Sequence, residues 1–199
     1  MLPAVNTLFN ALLQHPQLKS IDFSHLCVSQ AGGMAASEGT ARHWQKVTGS
    51  TMIEGWGMSE TCAIGTNNPV TNTEFSGSIG LPLPGIDIAI KDDAGNSLAL
   101  GESGEICIRG PNVMTGYYNQ PAENALAFTA DGFMRTGDIG IMDAEGYTRI
   151  IDRKKDMILV SGFNVFPNEI ENVISTCPGV LECAVVGVPD EKTGEAVKL

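Results

Sequence analysis

The sequence predicts an α/β chain of mixed character, and three observations carry that prediction. The opening third alternates helical and strand periodicities, the middle is a run of short apolar-polar alternations broken by Gly and Pro, and the close is an amphipathic helix followed by another apolar stretch. Helix alternating with strand is the rhythm of a layered sheet. Of 199 residues, 43% are hydrophobic, which is enough to bury a core.

In order along the chain, "PAVNTLFNALLQ" spaces Val5, Leu8, Phe9 and Leu12 at helical intervals and predicts a surface helix ended by "HPQL". "LCVSQAGG" reads as a strand running into Gly32 and Gly33, "AASEGTARHWQKVTG" as a second helix and "MIEGWGMSE" as a return to strand. From about Phe75, "GSIGLPLPGIDIAIKDDAGNSL" and "GESGEICIRG" predict a β-rich region with a hairpin closed by "DDAGN". "IGIMDAEGYTRIIDR" predicts another hairpin around Ala144-Glu145-Gly146, and "DMILVSGFNVFP" a third. After Pro167, "NEIENVISTCPGV" predicts a helix with Asn168 as its N-cap and acids in its first turn. "LECAVVGVPD" then predicts a strand.

The net charge of -11 argues against general affinity for nucleic acid or an anionic membrane, both of which need a basic surface. Cys27, Cys62, Cys107, Cys177 and Cys183 are odd in number and spread out, with no Cys-x-x-Cys pair, so they read as reduced thiols. The first residues have no basic n-region and no long apolar run, which argues against a signal peptide or a membrane span. A cytoplasmic location is the expectation.

Three stretches could carry chemistry. "GWGMSET" ends a strand on Ser59, Glu60 and Thr61, where α/β sheets bind ligands. Its glycines would admit a phosphate, and Glu60 would suit Mg. It equally suits a plain turn with Ser59 as an N-cap. "RTGD" offers Asp138, whose carboxylate could accept both hydroxyls of a vicinal diol such as ribose, or could only bond its own backbone in a turn. "DRKKD" gathers Arg153, Lys154 and Lys155 between Asp152 and Asp156, either as an anion or sugar grip or as a solvated turn.

Taken together, "GWGMSET", the block "DGFMRTGDIGIMDAEGYTRIIDRKKD" and the tail "MILVSGFNVFPNEIENVI" resemble, in order and spacing, the adenylate-forming acyl-CoA synthetase superfamily. The block looks most like the signature of bacterial long-chain fatty-acid CoA ligases. The resemblance covers the chain from Leu26 onward. It implies a two-step reaction in which a fatty acid and ATP with Mg give an acyl-adenylate, and coenzyme A then displaces AMP. It also implies an organisation: residues 1–74 as the end of a large adenylation core, 75–152 as a β-rich subdomain, 153–156 as a hinge, and 157–199 as the start of a small α+β domain.

Carried over by motif position, Trp56 stands where an aromatic ring stacks on adenine, beside Gly57. Ser59 stands at the α-phosphate as a catalytic hydroxyl, and Glu60 at the catalytic acid associated with Mg. Gly32 and Gly33 resemble the glycine pair beside nucleotide and acyl chain. Asp138 matches the acceptor of the ribose hydroxyls and Arg153 a second grip on that sugar. Lys155 matches the hinge, with Lys154 expected to be only a solvated neighbour. Ser161 and Gly162 match the loop on the coenzyme A side.

The resemblance places a phosphate loop before Met1 and a catalytic lysine after Leu199, and neither Lys192 nor Lys198 matches that lysine's motif. These 199 residues alone are therefore expected not to catalyse adenylation. Implied partners are a fatty acid, ATP and coenzyme A, without nucleic acid. Transient association with the inner membrane face and a homodimer are both compatible with such an enzyme. Medium-chain or aryl substrates, a nucleotide-binding module without catalysis, and a structural piece that merely folds and dimerises stay open as alternatives.

Overall fold

Three strands, Leu2–Ala4 (β1), Ser29–Ala31 (β2) and Met52–Trp56 (β3), run parallel, joined by crossovers through the helices Asn6–Gln14 (α1) and Glu38–Thr48 (α2). The computed structural model describes residues 1–174, 177–180 and 183–199. The core of this layer is Phe9, Leu18, Ala31, Ala41, Trp44 and Met52. Trp44 meets the Phe9 ring edge-on at 4.9 Å and satisfies its indole N–H on Ser29 Oγ at 2.8 Å, as a buried Trp must. Helix α2 begins on Ser37, whose side chain accepts from the Thr40 N–H, and ends on Gly49 at φ 74°.

The opening helix is shorter than the periodicity suggests. Leu2–Ala4 is drawn into the sheet, Leu2 donating to the Val28 carbonyl at 2.9 Å, and Pro3 is tolerated where β1, among the described residues, pairs with β2 alone. The sheet continues antiparallel through Thr66–Asn67 (β4) and Leu81–Pro82 (β5). At two residues each, these strands are too short to leave a period-2 signal.

The expected β-rich region is a second, wholly antiparallel sheet of Asp87–Lys91 (β6), Ser103–Arg109 (β7), Met134–Met142 (β8) and Thr148–Arg153 (β9), in that order. The turn at 143–147 is tied by Asp143 Oδ1, which accepts from the N–H groups of Glu145 and Tyr147. Pro121–Ala127 (α3), between β7 and β8, is a short helix that the sequence reading passed over. Ile79, Ile90, Ile106, Ile108 and Met134 form this sheet's core, together with Trp56 from β3.

A third sheet orders Phe163–Val165 (β11), Ile158–Val160 (β10), Gly194–Lys198 (β13) and Val186–Asp190 (β12). The β10-β11 turn is Ser161-Gly162, both at positive φ, 51° and 86°, as a two-residue primed turn requires. The closing helix is Pro167–Ile174 (α4). Asn168 therefore lies inside its first turn and is not its N-cap; Pro167 takes the first helical position, for which its fixed φ suits it. Ser175 and Thr176 of the expected helix, and Leu181 and Glu182 of the expected final strand, lie outside the described residues. Among the described residues no helix is long and apolar enough to cross a membrane.

Candidate functional site

Asp138 on β8 faces Arg153 on β9 directly across the ladder, and Arg153 Nε stands 3.4 Å from Asp138 Oδ1. Trp56, the last residue of β3, donates its indole N–H to Asp138 Oδ2 at 2.8 Å. That bond joins the first sheet to the second. Asp138 is only 7% exposed; burial pushes its carboxyl above the ordinary value, against the opposing pull of the Trp56 hydrogen bond and the Arg153 charge. Each carboxylate oxygen keeps a lone pair for a further donor. A cavity of about 370 Å³ opens beside it, lined by Thr136, Gly137, Asp138, Arg153, Lys154 and Lys155.

Asp138 is not the self-bonded turn residue that was the alternative reading. Thr136 does the local bonding, donating to the Ile106 carbonyl and accepting the Asp138 N–H, while Gly137 N–H goes to Glu105 Oε1. The side chain of Asp138 is thereby left for Trp56 and Arg153, beside the cavity. Trp56, expected to stack on adenine, is 9% exposed and packs among the apolar residues of the second core. Its indole N–H is also the donor to Asp138, a contact the sequence did not reveal.

The cationic run is equally specific. Lys154, expected to be a solvated neighbour, is anchored instead: its Nζ reaches Asp93 Oδ1 at 2.6 Å and Glu105 Oε2 at 3.1 Å, and its N–H bonds the Gly137 carbonyl. Glu105 is 5% exposed and also holds Arg135 at 2.9 Å, so a buried carboxylate is neutralised by two cations. The reason is tertiary: β7 brings Glu105 beneath the end of β9. Lys155 is exposed, at the third position of the turn in which Asp156 N–H returns to the Arg153 carbonyl.

Beyond Lys155, helix α4 is tied back to the second sheet by Asp152. This residue is 2% exposed and accepts both the N–H and the Nδ2–H of Asn168 at 3.0 Å each. Asp152 thus supplies the first turn of α4 with an acceptor from another element. Around this tie lies an open cleft of about 490 Å³, walled by Lys155 and Asp156 on one side and Glu171 and Glu195 on the other. Ser161 and Gly162 sit at the exposed β10-β11 turn, and a Cβ at Gly162 would meet nothing within 4 Å, so backbone φ alone accounts for that glycine.

At the carboxyl ends of the parallel strands, β2 leads into Gly32 and Gly33, and β3 into a single 3-10 turn at Ser59–Thr61. Gly32 lies against the Gly55 carbonyl, so the two strand exits are adjacent. Glu54 of β3 caps the same loop, accepting the Ala36 N–H at 3.0 Å; burial pushes its carboxyl up to about 6. Gly57 is required by packing, since a Cβ would collide with the backbone of Ala63 and Ile64. Ser59 is exposed and caps nothing; Thr61 makes the local bonds to Met58 in its place.

Glu60 is half-buried. Its Oε1 accepts the Tyr117 hydroxyl at 2.9 Å and its carbonyl accepts the Met114 N–H at 2.7 Å. The hydrogen bond to this carboxylate holds the Tyr117 phenol above its ordinary value. Tyr117 was not singled out in the sequence, although an aromatic pair in a Gly-flanked loop was the signal available. Among the described residues no three His, Cys, Asp or Glu side chains cluster to hold a metal by themselves. Glu60, with Oε2 carrying no protein partner among the described residues, fits Mg only as a single carboxylate ligand completed by phosphate and water oxygens.

A family model described as AMP-binding enzyme matches residues 1–118, and one described as AMP-binding enzyme C-terminal domain matches residues 169–199. The long-chain-fatty-acid–CoA ligase of Yersinia pestis is 50% identical over 197 residues, covering 98% of this chain and 34% of the relative. The chain thus spans about a third of the length of such relatives. Among solved structures, ATP-bound MatB from Rhodopseudomonas palustris superposes with a TM-score of 0.90 at 38% identity, covering 98% of this chain and 39% of that one. The apo form of the same protein, at the same identity and coverage, superposes with a TM-score of 0.78.

Proposed function

This chain belongs to the AMP-binding enzyme family, and from that premise we propose that it is the central-to-C-terminal part of an ATP-dependent ligase joining a long-chain fatty acid to coenzyme A. The observation that carries the proposal is the Trp56-Asp138-Arg153 constellation, an oriented carboxylate and a guanidinium opening on one cavity. The ribose hydroxyls of ATP donate to Asp138, and Arg153 bonds the same sugar from the facing strand.

The chemistry is displacement at two centres. A carboxylate oxygen of the fatty acid attacks the α-phosphorus of ATP and pyrophosphate leaves. The thiol sulfur of coenzyme A, having lost its proton, attacks the acyl carbon and AMP leaves with the electron pair. Ser59 bonds the α-phosphate, and the backbone at Gly32 and Gly33 lies beside nucleotide and acyl chain. Glu60 would give Mg one oxygen, and the ion, when bound, neutralises phosphate charge. Adenine lies on the Trp56 side of Asp138, as the match of Trp56 to the family's base-stacking aromatic implies. Lys155, exposed in a turn just beyond the anchored Lys154, is the pivot about which residues 157–199 reorient, bringing Ser161 and Gly162 to the coenzyme A side. A long-chain acid is drawn from a bilayer surface, which places the enzyme transiently at the inner membrane face.

The test is exchange of labelled pyrophosphate into ATP by the complete protein, with acids of increasing length. Exchange that depends on a long-chain acid, followed by thioester on adding coenzyme A, is the expected result. Exchange driven equally by acetate or benzoate would reject the substrate class.

A further inference from the structure

Segment 112–117, between β7 and α3, grips the turn that carries Glu60 at four points. Asn112 Nδ2 donates to the Thr61 and Ile64 carbonyls at 2.8 and 2.6 Å. Met114 N–H holds the Glu60 carbonyl, and the Tyr117 hydroxyl holds the Glu60 carboxylate. Tyr117 is itself clamped through its main chain: its N–H goes to Asn124 Oδ1 at 2.6 Å, and Asn124 Nδ2 returns to its carbonyl at 2.9 Å. Gly116, at φ 146°, passes so close to this clamp that a Cβ would lie 3.0 Å from the Asn124 side chain. A phenol on a residue 40% exposed is therefore fixed from the backbone outward, without help from core packing.

We propose that Tyr117 is a positioning residue for Glu60: its hydroxyl occupies Oε1, selects one carboxylate orientation, and leaves Oε2 as the oxygen offered to the metal of Mg-ATP. The inference rests on the assignment of Glu60 to that metal. Loss of a hydrogen bond that orients a metal-ligating group typically costs about 10–100-fold in metal affinity. A tyrosine that only fastened the loop would affect folding and all ligands alike.

The experiment is calorimetric binding of Mg-ATP and of metal-free AMP to the complete protein, its Tyr117→Phe and Glu60→Gln variants and the double variant, with thermal melting of each. Each single variant is expected to weaken Mg-ATP about tenfold and to leave AMP within about twofold. The double variant should be no weaker than Glu60→Gln alone. Loss with Glu60→Gln but none with Tyr117→Phe would overturn the positioning role while sparing the metal assignment. So would tighter Mg-ATP binding by Tyr117→Phe, which would mean that the phenol competes with the metal, or an equal loss for AMP. No loss with Glu60→Gln would overturn the metal assignment and this inference with it.

Discussion

Trp56 and Asp138, 82 residues apart in sequence, share a 2.8 Å hydrogen bond that crosses from the first sheet to the second. A buried carboxylate needs donors, and the indole N–H is one that cannot titrate or turn away. Trp56→Phe keeps an aromatic ring in the core but removes the donor together with the pyrrole half of the indole, so thermal melting must accompany the binding measurement. Because hydrogen bonds to charged groups contribute about 1.5–3 kcal/mol, AMP affinity should fall about tenfold or more, read by calorimetric titration. Unchanged affinity would mean that the backbone of β8 alone orients Asp138.

Glu54 makes stability depend on pH with a defined sign. Its carboxyl titrates near 6 when folded against 4.5 in the free state, so the native chain holds the proton more tightly. The stability this contributes is fully present below pH 4.5 and is lost as pH rises through about 6, amounting to about 2 kcal/mol. Glu54→Gln retains an acceptor for the Ala36 N–H without titrating. Its urea stability relative to the native sequence should therefore rise by about 2 kcal/mol between pH 4 and pH 7. A pH-independent difference would contradict the burial argument.

The Asp152-Asn168 pair is the tie across the proposed pivot. Asp152→Ala removes both bonds to Asn168 and a third from the Arg153 N–H, and Asn168→Ala removes one. Cleavage by trypsin after Arg153, Lys154 or Lys155 should accelerate about fivefold for Asn168→Ala and further for Asp152→Ala, following the loss of roughly 1 kcal/mol per bond. Equal cleavage of all three proteins would show that the tie does not hold residues 157–199 in place.

Glu105 separates two kinds of cation. Arg135 is the more enclosed partner, at 20% side-chain exposure against 38% for Lys154. Arg135→Met should destabilise by about 3 kcal/mol, and Lys154→Met, screened by water, by about 1 kcal/mol. The reverse order in urea titrations would contradict the structure's assignment of the principal partner.

Much of this was legible in the sequence because it is local. The hairpin turns at 92–96, 143–147 and 161–162 announce themselves through Asp, Asn and Gly, and the helix Glu38–Thr48 through Ser37 and Gly49. The strand at Leu2–Ala4 was not, because only pairing with Ser29–Ala31 overrides its helical spacing. At the site, the motif block located Asp138 and Arg153. The Trp56 donor, the Lys154 anchor and the Tyr117-Glu60 bond each join residues 49 to 82 positions apart, where no periodicity operates.

The central claim is that Asp138 receives the sugar of the nucleotide. The most direct measurement is calorimetric titration of the complete protein and of Asp138→Ala with a non-hydrolysable acyl-adenylate analogue and with its 2′,3′-dideoxy counterpart. The account predicts that removing the hydroxyls weakens binding to the native protein about tenfold or more and has little further effect on Asp138→Ala, whose affinity is already low. A dideoxy penalty of the same size in both proteins would contradict it.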